Sequence, residues 1–272
     1  MKKSNLFSSL ILAALTVPVM AMAADVETAE HKEGKHVIPE SAHTVTANVG
    51  FVSNYLYRGL SQTGGKPAIQ GGFDYARTSG FYAGVWGSNV SWVAASSASL
   101  ELDTYFGFKN SFAEDLSYDV GFLRYNYPGV YASGATKADT NEIYGAISWK
   151  WLTAKYSRSL GDTFATANAS GTSYIDLSAS YPIPDTGVTL GAHYGKQTFK
   201  GSTAGVSNDK FTYSDYKLSA SKDFGGYVVG LAYSSTNTNK GLGEAWNITP
   251  LADGSNIDLG KSAAVLSIAH SF

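Results

Sequence analysis

Histidine, serine and carboxylate positions decide what chemistry this 272-residue chain could perform, because it contains no cysteine. Thiol nucleophiles, thiolate metal sites and disulfides are excluded together. Of the five histidines, His31 and His36 lie in a charged N-terminal stretch and His43 at its end; only His193 and His270 fall within apolar-alternating segments. A serine hydrolase needs a serine, a histidine and an orienting polar group within hydrogen-bond reach. His193 shares its face with Thr189, Gly191 and Gly195 and has no nucleophile close in sequence, so it reads as an interior hydrogen-bonding ring in preference to a base. Glu101 and Asp103, two residues apart on one strand face, could form an acid–base pair or begin a metal site. Such a pair needs surroundings that drive its two pKa values apart, and a wet interior supplies little of that. Gly64-Gly65-Lys66 lacks the strand–loop–helix setting of a phosphate loop. No catalytic residue, metal site or cofactor is assigned.

The elements that carry these residues read as strands. From His43 onward, short alternating segments are separated by clusters of Gly, Ser, Asn, Asp and Pro, the pattern of an antiparallel all-β protein. Twelve are expected, at about 43–57, 66–76, 81–90, 100–110, 116–127, 140–149, 151–159, 173–181, 188–197, 213–222, 227–236 and 258–272. Leu100, Leu102, Phe106 and Phe108 oppose Glu101, Asp103, Gly107 and Lys109; Val188, Leu190, Ala192 and Tyr194 oppose Thr189, Gly191, His193 and Gly195. Connections alternate short and long, as in a transmembrane β-barrel with periplasmic turns and outer loops. An even strand count places both termini in the periplasm. Small residues on the charged face fit a crowded, curved interior. Aromatic pairs near segment ends (Tyr55/Tyr57, Tyr75/Phe81, Tyr125/Tyr127, Trp149/Trp151, Tyr213/Tyr227) are expected to form the two interfacial girdles.

Both ends of the chain fit that compartment. Lys2 and Lys3, the apolar stretch Leu6 to Val19 and Ala21-Met22-Ala23 have the layout of a secretory signal, giving a signal peptide at 1–23, a flexible periplasmic tail at 24–42 and a barrel at 43–272. Without Lys2 and Lys3 the acids still outnumber the bases, the wrong balance for a nucleic-acid binder. Ser262 to Phe272 alternates to a terminal aromatic. That ending resembles the closing-strand signal of outer-membrane barrels, which implies the barrel-assembly machinery as a partner and Phe272 as the assembly signal.

Strand parity sends Asp74, Glu101, Asp103, Asp119, Glu142, Asp176 and Asp215 inward, together with Lys109, Lys155, His193 and Lys217. Arg58, Arg124 and Arg158 are expected at the outer rim. Arg124 and Asn126 break the apolar face of their segment, which predicts a bulge or emergence above the membrane. An excess of interior carboxylates favours cations, and opposite charges can also pair across the lumen. Twelve strands enclose a passage narrower than that of the sixteen-stranded porins.

Residues Ser53 to Thr63, with Tyr55-Leu56-Tyr57-Arg58-Gly59, then Lys66 to Tyr75 and Gly80 to Val90, resemble the opening of the proteobacterial TorF family of porin-like proteins, an uncharacterised group. Glu101-Leu102-Asp103, Tyr125 to Gly129, Asn141 to Gly145 and Lys155-Tyr156-Ser157 are similar to the family pattern as well. The resemblance covers about 43–272 and implies an outer-membrane barrel of pore type without assigned site residues. The leading expectation is therefore passive, mildly cation-preferring diffusion of small polar solutes or ions through an outer-membrane channel surrounded by lipid, without a cofactor; a homo-oligomer is compatible with it. The alternatives are a non-conducting barrel that binds through its outer loops, especially 237–257, and an outer-membrane lipid-modifying enzyme. The enzyme requires a serine or carboxylate beside His193 in the fold.

Overall fold

The computed structural model describes residues 41–93, 96–238, 246, 249–250 and 256–272. Twelve long strands form its wall: β1 His43–Val52, β2 Ala68–Arg77, β3 Phe81–Asn89, β4 Leu100–Ala113, β5 Leu116–Asn126, β6 Thr140–Trp149, β7 Leu152–Ser159, β8 Ser173–Ile183, β9 Val188–Thr198, β10 Tyr213–Asp223, β11 Tyr227–Thr236 and β12 Ala263–Ser271. Each pairs antiparallel with its sequence neighbours, and β1 with β12, so the sheet closes. The expected all-β, twelve-stranded antiparallel barrel is what forms. The signal peptide at 1–23, the tail as far as residue 40 and most of the 237–257 loop lie outside the described residues.

Period-two patterning explains the wall. Along β4, Glu101, Asp103, Tyr105 and Gly107 are buried while Leu100, Leu102, Phe106 and Phe108 are exposed, the reverse of a soluble domain. Closure leaves no unpaired edge, which a bilayer requires. Strand ends at Trp149, Trp151, Phe81 and Tyr227 point outward, as expected of a girdle. The assignment fails for Tyr55, Tyr57, Tyr125, Tyr127 and Tyr213, which are buried inside.

Part of that failure has a local cause. The first strand stops at Val52, not residue 57, because Ser53 ties off the ladder: its N–H donates to Leu266 O at 2.9 Å and its Oγ accepts from Leu266 N–H at 3.0 Å. Leu56–Tyr57 and Leu60–Ser61 then form a small inward hairpin whose tip, Arg58-Gly59, takes positive φ at both residues (46° and 77°). Such paired positive φ values suit the twist of a two-residue hairpin. Asn54 Oδ1 accepts from Ser61 Oγ at 2.6 Å, and Thr63 Oγ1 accepts from Tyr55 N–H at 3.2 Å, fastening the hairpin's base.

The interior glycines make room for tyrosines. Gly84 pairs with Tyr105, Gly107 with Tyr82 and Gly121 with Tyr144 across adjacent strands, so each ring lies along the wall over a residue lacking a side chain. A Cβ at Gly107 would stand 2.6 Å from Val120 O and collide with the Tyr82 hydroxyl. Gly107→Ala is expected to lower barrel stability by about 1–3 kcal/mol through overpacking. Urea-induced unfolding in detergent tests this, and an unchanged midpoint would count against the packing account.

Candidate functional site

The hairpin tip is buried in the barrel. Arg58 is 7 % exposed and donates through both terminal nitrogens to Glu142 on β6, at 3.1 and 2.7 Å; one of these nitrogens also donates to Gln197 Oε1 on β9 at 2.6 Å. Tyr57 and Tyr174 lie 4.8 and 4.3 Å from the guanidinium carbon by ring centroid, within cation–π range. The two-pronged grip fixes both position and orientation of the planar group. The outer-rim expectation for Arg58 is therefore corrected: this arginine is a clamp across the lumen.

The same end of the interior is closely packed. Glu101, Asp103 and Glu142 are 1 %, 0 % and 2 % exposed, far more buried than side chains lining a hydrated lumen would be. Tyr55 Oη donates to Glu101 Oε1 at 3.1 Å, whereas neither oxygen of Asp103 has a hydrogen-bond partner among the described residues. Tyr57 and Tyr125 join through their hydroxyls at 2.6 Å. Loop aromatics add a further cover, with Trp92 edge-on to Tyr127 at 5.2 Å and Trp246 Nε1–H donating to Phe211 O at 3.1 Å.

Below the hairpin, register sets charges in rows. Asp119 faces Lys109, and Asp176 faces Lys155, whose ammonium sits 3.9 Å from the Tyr144 ring centroid. His193 faces Lys217 on one side and Ser178 on the other. Its Nε2 lies 2.9 Å from Asp215 Oδ1 and 3.0 Å from Tyr174 Oη; its Nδ1 lies 3.1 Å from Ser178 Oγ and 3.3 Å from Asp176 Oδ1. A serine and two carboxylates thus stand beside His193, the condition the enzyme alternative required. The hydroxyl direction opposes it, however: Ser178 Oγ donates to Asp176, not to the ring. Each ring nitrogen also faces a carboxylate, whereas a catalytic base must turn one lone pair to the serine proton. Strand parity had placed His193 on the inner face, but its partners depend on the register between β8, β9 and β10, which no single segment reveals.

Asp74 and Asp119 accept from Tyr105 and Tyr82, each at 2.5 Å, and Lys217 is half-buried on the same face. Every residue expected to line the lumen therefore points inward. Arg124 and Arg158 point outward at the long-loop end. Register is unbroken through Arg124, which pairs with Thr104 and Asn141. The bulge lies at Ser111/Ala113 instead, so the expected bulge does not account for Arg124.

Three comparisons bear on kinship. No curated protein matches the chain. Among solved structures, it is similar to the KdgM porin (9 % identity, TM-score 0.46, 84 % of this chain and 99 % of that one) and to the NanC porin (10 %, 0.48, 84 % and 99 %). It is also similar to the outer membrane protein OprD from Pseudomonas aeruginosa (15 %, 0.38, 84 % and 65 %). A family model described as a bacterial protein of unknown function, Gcw_chp, matches residues 36–272; the TorF name is not the one this match carries. The chain belongs to the Gcw_chp family of bacterial proteins.

Proposed function

We propose that this protein is an outer-membrane, porin-like channel for passive diffusion of small polar solutes or ions, narrowed by the inward hairpin at 53–63. The observation that carries the reading is the charged interior of a closed, apolar-faced barrel, crossed by the Arg58–Glu142 clamp. A barrel built only as a scaffold could fill its centre with apolar side chains; this one keeps Asp74, Asp119, Asp176, Lys155 and Lys217 only partly buried there. Porins and transporters keep a polar interior of this kind. The seven inward carboxylates outnumber Arg58, Lys109, Lys155, His193 and Lys217, so transport favours cations. The test is the reversal potential of a bilayer holding the refolded protein between unequal KCl solutions. A potential of cation-selective sign is expected, and an anion-selective one would overturn the preference.

The hydrolase alternative is favoured by one observation, the contact of Ser178 with His193. Because Ser178 already gives its proton to Asp176, no labelling of Ser178 by a fluorophosphonate probe is expected, and Ser178→Ala should leave conductance unchanged. Stoichiometric labelling lost in Ser178→Ala would establish a nucleophile.

A further inference from the structure

The outer wall carries a cationic pattern that transport does not use. Arg124 on β5, Arg158 on β7 and Lys196 on β9 are each more exposed than both chain neighbours, which are buried: Leu123 and Tyr125, Ser157 and Ser159, Gly195 and Gln197. All three therefore face away from the lumen. Each stands two residues beyond an outward aromatic, Phe122, Tyr156 or Tyr194, toward the long-loop end.

Register places the three at one height. Arg124 pairs with Asn141 and Arg158 with Ile143 on the intervening β6; Arg158 pairs with Ser173 and Lys196 with Ile175 on β8. Each step from one cation to the next therefore crosses two strands and shifts two residues. With strands about 4.8 Å apart and about 3.3 Å per residue, that is a slope of roughly 35° and a spacing of about 12 Å between Cα atoms. A slope of this size matches the strand tilt of such barrels, so the staircase compensates the tilt.

Arg124 is already held by Asp139 at 3.2 Å and by Asn126 and Asn141. Arg158 and Lys196 have no hydrogen-bond or ion-pair partner among the described residues. No carboxylate lies on the outward face of β7, β8 or β9. Two unneutralised cations just past the aromatic level of a lipid-facing wall sit where headgroups begin. We propose that Arg158 and Lys196 form a binding site for the phosphate of an anionic lipid headgroup, with Tyr156 and Tyr194 seating its apolar part below. Arginine offers a planar fork to phosphate oxygens and lysine a mobile point charge. The proposal rests on the membrane reading of the barrel but not on conduction.

The test uses the refolded full chain in neutral detergent, titrated with bisphosphorylated lipid A, dephosphorylated lipid A or inorganic phosphate, and followed by native mass spectrometry. Bisphosphorylated lipid A is expected to remain bound, with affinity falling about tenfold or more in Arg158→Gln/Lys196→Gln. Lys222→Gln, an exposed cation at the opposite rim, should bind as wild type. Equal binding of the dephosphorylated lipid, undiminished binding by the double variant, or equal occupancy by inorganic phosphate would each overturn the lipid site. Heat-modifiable migration checks that the double variant folds, and its conductance in neutral lipid should equal wild type. A silent channel that still binds the lipid would count against the transport reading alone.

Discussion

Arg58→Ala should raise solute permeation through the reconstituted barrel several-fold. The substitution removes both hydrogen bonds to Glu142, the bond to Gln197 and the contacts with Tyr57 and Tyr174. It also leaves Glu142 buried without its cation, a loss of about 3–5 kcal/mol in comparable buried pairs. That penalty applies to the inward hairpin and is relieved when the hairpin leaves, because water can then reach the carboxylate. The equilibrium therefore shifts outward, an order–disorder response of a segment held by one charged contact. Arg58→Ala/Glu142→Ala removes the stranded charge as well, and the hairpin keeps Tyr55, Leu56 and Leu60 buried. The double variant should thus lie between wild type and Arg58→Ala. Proteoliposome swelling in sugars of increasing size reads the order directly. Equal swelling of all three folded proteins would refute the clamp.

Deleting Phe272 should sharply reduce the amount of barrel that reaches the membrane while leaving the inserted fraction with wild-type conductance. The reason lies at the seam. β1 pairs with β2 over His43–Val52 but with β12 only from Asn48 to Val52, so closure depends on a short ladder. Phe272 extends it by two backbone bonds, Phe272 N–H to Ala47 O at 2.8 Å and Ala47 N–H to Phe272 O at 3.2 Å. Its ring packs edge-on to His270 at 4.6 Å, and His270 in turn stacks on Tyr227 at 4.4 Å. Phe272→Ala retains the backbone bonds and removes the ring. Comparing it with the deletion separates seam closure from recognition of the aromatic by the assembly machinery. Normal insertion of the deletion would remove Phe272 from both roles.

What could be read from residues alone follows from which forces are local. The alternation of Leu100 to Lys109 is a period-two signal, and it fixed the inward parity of Glu101, Asp103 and Lys109 because every adjacent strand obeys the same constraint. The hairpin at 53–63 was not legible because Tyr55 and Tyr57 continue the alternation of β1 past its end. Its turn residues, Arg58-Gly59, are a weaker signal than Asn-Gly. An inward hairpin also has no partner strand in the wall, so nothing local marks where the ladder ends. Arg58 was consequently placed at a rim, although its partners Glu142 and Gln197 come from strands far along the chain. The His193 cluster failed to appear for a related reason: parity identifies a face, but contact with Ser178 and Asp215 requires the registers of two separate ladders. The staircase of Arg124, Arg158 and Lys196 likewise emerges only when registers are combined with tilt.

Single-channel recording of the refolded wild-type protein in planar bilayers tests the central claim most directly. The clamp predicts discrete currents that switch between a low level with the hairpin seated and a higher level with it released, and Arg58→Ala should dwell mainly in the higher one. Bilayers that stay silent at every salt concentration and voltage, with both wild type and Arg58→Ala folded and inserted, would contradict the account.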